Sequence, residues 1–216
     1  MVDDVIVEEA ETVKFLGIYL DKGLTWENQI NNICSKVASG IFGLRQLSSL
    51  CSPHVLLMAY FGLIFSHLNY RIIFWGGCAR KYFERVFRLQ KNAVRILGNL
   101  NNRDHCRETF KNLGLLTLPS LYILETILHC RFKSSPLQGN FIHEHNTRIK
   151  NDLRVQQHRT TLFSKLPSQI GIKFFNMLPE EIKIESNQNL FKNRLKRYLV
   201  SHAFYEVAEY LNLSDL

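Results

Sequence analysis

Cysteine, proline and long apolar runs are all scarce in this 216-residue sequence. Its five cysteines (Cys34, Cys51, Cys78, Cys106 and Cys130) are an odd number, widely spaced and without a C-x-x-C pair. That pattern excludes a disulfide framework or a zinc ribbon as the organising principle. It predicts buried free thiols in an intracellular protein of the nucleus or cytoplasm. No apolar run approaches the roughly 20 residues needed to cross a bilayer, so no membrane partner is expected. Met1 to Ala10 lacks the basic and apolar regions of a secretory leader. Internal repeats and low-complexity tracts are also missing, which excludes solenoids and disordered linkers as the main architecture.

What is present is apolar content and positive charge. Hydrophobic residues make up 46% of the chain, enough to bury a core in one domain or two small ones. Lys and Arg number 27 against 19 Asp and Glu, a net charge of +8. Five of the acids (Asp3, Asp4, Glu8, Glu9 and Glu11) precede every basic residue, so the remainder of the chain is more basic still. Polyanions, RNA and DNA first among them, are the expected partners.

The order along the chain is a strand-like opening followed by helices. Thr12 to Leu20 is rich in β-branched and aromatic residues and reads as a strand, bent or closely approached at its one glycine. Asp21-Lys22-Gly23 supplies a turn. From Trp26 to Leu50 the apolar positions Ile30, Ile33, Val37, Ile41 and Leu44 recur every three or four residues, and Thr25 stands ready as N-cap. Ser52-Pro53 opens a helix through about Leu68 that is apolar on every side and therefore expected to sit centrally. Tyr70 to Cys78 reads as a buried connector or a short strand.

Arg80 to Leu97 returns to helix, with Gly98 as its expected C′ residue. Shorter helices are expected from about Asp104 to Leu113, ending at Gly114, and from Pro119 to about Phe132. Ser134 to Asn140, with Pro136 and Gly139, is the best candidate boundary. The pattern is then irregular, polar and basic through Gln169, with room for short strands. A helix from Ser186 to about Leu199 follows, continuing with a bend to Leu211. The fold class is mainly α: a small β-hairpin, a helical bundle, and an irregular α+β tail.

The segment Arg80 to Leu97 carries the most chemistry. At 100° per residue, Lys81, Arg85, Arg88, Lys91 and Arg95 fall within a stripe about a third of the circumference wide. Phe83, Val86, Ala93, Val94 and Leu97 take the opposite arc. Such a cationic row suits phosphates, which repeat along a strand and release counterions when neutralised. Its arginines favour bidentate phosphate contacts. The plainer reading of the same row is a solvated helix face.

Several ordered motifs carry a family resemblance. Val13 to Trp26, V-K-F-L-G-I-Y-L-D-K-G-L-T-W, resembles the F-L-G-I-x-L-D-x-x-L-x-W segment that closes the palm of non-LTR (LINE-like, jockey-type) retrotransposon reverse transcriptases. Ser66-His67-Leu68-Asn69-Tyr70 with Phe74-Trp75-Gly76 resembles that family's S-H-L-x-Y-G-I-x-x-W-G. Leu89 to Arg95 resembles its L-Q-x-x-A-x-R. His145 to Arg148, Gly171 to Pro179 and Phe191 to Lys196 are similar to its tail.

The resemblance implies a division of the chain. Residues 1–25 would be the end of the palm with a primer-grip hairpin at Phe15, Leu16, Gly17 and Ile18. Residues 26–133 would be a helical thumb gripping the template–primer duplex by its backbone, and 134–216 a basic tail. The remaining partner would be the palm of the parent polymerase. One departure stands out: Arg71 occupies a position where the family has Gly, which suits a backbone conformation that arginine enters only at a cost. The polymerase's metal-holding aspartate pair, [FY]-x-D-D, does not occur here, and Asp3-Asp4 lacks its context. No catalytic residue, metal or cofactor is therefore expected, and the chain is predicted inactive as a polymerase alone.

Other groupings have simpler explanations. Asp104 and Glu108 are an i, i+4 carboxylate pair, better read as an exposed first helical turn than as a cation site. His105-Cys106 and His129-Cys130 are adjacent pairs whose side chains diverge by about 100° on a helix, which argues against chelation as a unit. His143, His145 and Arg148 read as a polar loop near nucleic acid or another protein segment. Two functions follow from different classes. The chain is either a non-catalytic carboxy-terminal fragment of a reverse transcriptase or an independent, host-retained helical module binding RNA, DNA or an acidic protein. An unpaired apolar strand face would favour the fragment, and a self-contained core the module.

Overall fold

The computed structural model describes residues 10–133, 152–154, 160, 163 and 166–213. Among the described residues the fold is mainly helical with one antiparallel hairpin, β1 (Thr12–Phe15) and β2 (Ile18–Asp21), in the register Thr12↔Asp21 to Phe15↔Ile18. The expected small hairpin is present, and the stretch Thr12 to Leu20, read from its composition as one bent strand, is two strands. Leu16 and Gly17 both have positive φ, 46° and 77°, the backbone that reverses a two-residue hairpin. Leucine rarely adopts it, so its side chain gives no warning of the turn.

Asp21 then organises the entry to the first helix. Its carboxylate accepts from the backbone N–H of Thr25 (2.8 Å) and Trp26 (2.9 Å). Burial alone would raise its pKa, but these two bonds hold the carboxyl below its ordinary range. The chain turns through a left-handed Trp26, φ 68°, into α1 (Glu27–Ser48). Trp26 rather than Thr25 is the N-cap, and Thr25 contributes from one position further out, its Oγ1 accepting the Glu27 amide at 3.4 Å. Ile30, Ile33, Val37, Ile41 and Leu44 form the buried stripe, as their spacing predicts.

After α1 come α2 (Pro53–Tyr60), a π-helical turn (Phe61–Phe65) and α3 (Ser66–Asn69) in close succession. Leu56, Tyr60, Ile64 and Leu68 face inward at a spacing of four. Val55, Met58, Phe61 and Leu63 stay exposed, so this segment is packed on one face and is not central. Arg71 is left-handed, φ 54° and ψ 28°, the glycine-like backbone expected there. It starts α4 (Ile72–Trp75), a short helix in place of the expected connector or strand.

Next is α5 (Arg80–Leu97). Gly98 is its last helical-like residue and Asn99, φ 50°, takes the C′ position instead. The amide of Leu100 bonds the Arg95 carbonyl and that of Asn99 the Ile96 carbonyl, a Schellman closure. The same closure ends α6 (Arg107–Asn112) with Gly114 at C′, as its sequence predicts. The central helix is α7 (Leu118–Lys133), which is buried over most of its length. Around it pack α4, α8 (Pro167–Asn176), α10 (Gln188–His202) and α11 (Val207–Leu211), while α9 (Glu180–Lys183) leads into α10.

One core runs from Ile30 on α1 to Tyr210 on α11. Tyr122 meets Phe174 edge-on at 5.7 Å, and Phe132 meets Phe191 at 5.7 Å, so helices before and after residue 134 share it. The expected boundary, Ser134 to Asn140, lies outside the described residues. Among the described residues no helix is long and apolar enough to cross a membrane.

Candidate nucleic-acid interface

The cationic row sits on α5 because the helix's other side is committed to the core. Val86, Phe87, Gln90, Ala93 and Val94 are buried, and the Gln90 amide donates to the Tyr60 hydroxyl (3.1 Å) and the Leu116 carbonyl (2.9 Å). Docking of α1 against α5 fixes which flank is covered: Tyr82 donates to Glu27 at 2.6 Å, and Arg85 Nη1 to Asn31 Oδ1 at 2.6 Å.

The five expected cations divide into two groups. Lys81, Arg85 and Arg88 are exposed. Lys81 Nζ lies over the Tyr82 ring at 4.6 Å, and Arg88 has no partner among the described residues. Lys91 and Arg95 are half-buried and bound to the protein itself. Lys91 Nζ lies 4.8 Å from the Phe87 ring centre and 5.4 Å from that of Tyr205. Arg95 Nε donates to the Asp104 carbonyl (2.9 Å) and Nη1 to Asn92 Oδ1 (3.0 Å), bracing the turn after α5. The row is also interrupted by an acid: Glu84 falls in the same arc and pairs with Arg80, which also bonds Glu206. A face of three solvent-directed cations remains.

The hairpin residues likewise separate. Phe15 and Leu16 are 61% and 63% exposed, whereas Ile18 is buried. The tip is tied to a distant motif, since the Tyr70 hydroxyl donates to the Leu16 carbonyl at 2.7 Å. Two motifs separated by 54 positions in sequence therefore meet at one place. A second tie joins the hairpin to α1: the Tyr19 amide donates to Gln29 Oε1 (3.1 Å), and Asn28 Nδ2 to Thr12 Oγ1 (2.9 Å). Sequence reasoning did not single out Gln29 or Tyr70 as anchors, because both contacts are long-range. Exposed Lys192, Lys196 and Arg197 on α10 form another basic group, whose i, i+4 spacing was readable.

The two carboxylates and two of the cysteines singled out in the sequence have protein partners. Asp104 accepts from Asn101, and Glu108 from Lys111 at 2.8 Å. Cys106 is buried with its sulfur 3.4 Å from the Tyr205 hydroxyl, and Cys130 Sγ donates to the Ser168 carbonyl. All five cysteines are free thiols. Burial pushes the Cys78 thiol up to about 12 and that of Cys130 to about 11. His143, Glu144, His145 and Arg148 lie outside the described residues. No family model, curated protein or solved structure matches this chain.

Proposed function

We propose that this chain binds the sugar-phosphate backbone of a template–primer duplex of RNA and DNA through the exposed face of α5. In this reading it is the non-catalytic carboxy-terminal part of a reverse transcriptase of the non-LTR retrotransposon type. The observation that carries the binding claim is the row Lys81, Arg85, Arg88, three cations side by side on a rigid, core-anchored helix. Backbone contacts of this kind are independent of sequence, as a protein sliding along a duplex requires. Val13 and Phe15 support the fragment reading, being 49% and 61% exposed on the open strand of the hairpin, an apolar edge suited to a neighbouring palm. The continuous core from α1 to α11 supports the second reading, an independent module using the same cationic face.

The test is a salt titration of duplex binding. Lys81→Gln, Arg85→Gln and Arg88→Gln combined should weaken binding to all sequences alike. The slope of log affinity against log salt should flatten by roughly 0.9 for each phosphate no longer neutralised. Arg95→Gln should leave that slope unchanged, since its guanidinium serves the protein. An unaltered slope in the folded triple variant would show the row to be a solvated face. The two readings separate by sedimentation. The fragment reading expects the parent chain to self-associate more than Phe15→Lys, and the module reading expects both to be equally monomeric.

A further inference from the structure

A cleft of about 400 Å³ opens between the hairpin tip, the flank of α1 and α3. Its size is in the range of small-ligand sites. Gln29, Asn32 and Lys36 from α1 line it with Ser66, His67 and Tyr70, and no carboxylate is among its lining residues. Gln29 is 2% exposed, and its orientation is fixed. Only an oxygen can accept the Tyr19 N–H, so Oε1 is the atom at 3.1 Å and Nε2 is the other end. That NH2 group is not among the buried groups left without a partner, so it still reaches the solvent of the cleft and is free to donate there.

We infer that this cleft binds an oxyanion of the phosphate class. Gln29 contributes a nearly buried amide with two N–H groups, Lys36 a full positive charge, and Asn32 and His67 further donor capacity. A phosphate group has three or more accepting oxygens, which such a set can satisfy better than the two of a carboxylate can. The Ser66 and Tyr70 hydroxyls already donate to the Gly62 and Leu16 carbonyls, so they shape the wall. Burial, then the charge of Lys36, lowers the pKa of His67. The site is independent of α5, because Gln29 and Asn31, which holds Arg85, point about 160° apart around α1.

The experiment is an NMR titration of the full chain with inorganic phosphate up to roughly 10 mM at constant ionic strength, which reaches dissociation constants near 1 mM. The Gln29 side-chain amide and the His67 ring should shift together and saturably. Gln29→Glu keeps an oxygen for Tyr19 while replacing the donor by a negative charge, and should abolish the response with the hairpin intact. Lys36→Gln, an exposed change, should weaken it by about tenfold. Lys81→Gln should leave it unchanged even if it weakens duplex binding. A short single-stranded oligonucleotide that displaces phosphate from these signals assigns the oxyanion to a strand; one that does not assigns it to a free phosphate group. Absent or unsaturable shifts, or an unaltered response in Gln29→Glu, would overturn the inference.

Discussion

Two stretches of this chain are apolar nearly all round, and they meet opposite fates. The run α2, π-helical turn and α3 buries Leu56, Tyr60, Ile64 and Leu68 but leaves Val55, Met58, Phe61 and Leu63 in solvent. Helix α7 buries Leu118, Leu121, Tyr122, Ile123, Leu124, Ile127 and Cys130, with only part of its circumference reaching water. Composition does not distinguish them; neighbours do. Helix α7 touches α4, α8, α10 and α11, whereas the α2 segment packs principally on α1 and α5. An apolar surface is buried only where other elements arrive to cover it, and those elements come from far along the chain.

The strongest way to break this comparison is truncation. Ile127→Ala on α7 should cost about 2–5 kcal/mol, because a fully buried side chain leaves a cavity. Met58→Ala, at a side chain 62% exposed, should stay within roughly 0.5 kcal/mol. Denaturant unfolding of both variants measures the difference, and equal losses would mean that the α2 segment is covered in solution. Glycines extend the contrast. A Cβ at Gly171 on α8 would lie 2.5 Å from Cys130 Cβ and 2.9 Å from the Thr126 carbonyl oxygen, both on α7. Gly171→Ala should therefore destabilise by about 1–3 kcal/mol. At Gly62 nothing stands within 4 Å, so Gly62→Ala should stabilise by about 0.5–1 kcal/mol through helix propensity.

Sequence reading succeeded where local rules decide the outcome. The span of α5, the buried positions of α1 and the Gly114 end of α6 all follow from spacing and capping residues. It failed where a distant group wins. Leu16 took a turn conformation, and its carbonyl is held by Tyr70, 54 positions away. For the candidate interface, the angular arrangement of five cations was legible, but the withdrawal of Lys91 toward Tyr205 and of Arg95 toward Asp104 was not. A helical wheel gives direction and contains no information about what will be waiting there.

Arg71 was legible through its departure from a family pattern, and it marks the joint between the two stretches. Its left-handed backbone turns the chain from α3 into α4, whose buried Trp75 leads onto α7. A side chain in that conformation costs about 1–2 kcal/mol, partly offset by the greater entropy of glycine in the unfolded chain. Arg71→Gly should accordingly raise stability by about 1 kcal/mol. A loss would show that the Arg71 side chain contributes interactions exceeding the backbone strain.

The smallest effect compares one histidine from each stretch, His67 on α3 and His129 on α7. Burial lowers the pKa of both, with Lys36 adding to it at His67 and Lys133 at His129. Each should titrate by NMR below the ordinary value of about 6.5, which the same histidines should show in denaturant. The sign follows from proton counting. Between the lowered folded value and about 6.5 the unfolded chain binds more protons, so stability rises with pH in that window and falls as the solution is acidified through it. Glu125, also on α7, works in the opposite direction, since burial raises its carboxyl and favours the folded state at low pH. Its presence on the same helix makes total stability a blunt readout near His129. Residue-specific titration, or the difference between the parent and His129→Gln across about pH 5 to 7, isolates the histidine. A midpoint at or above about 6.5 for either ring would mean that its surroundings in solution are wetter than the packing described for that stretch.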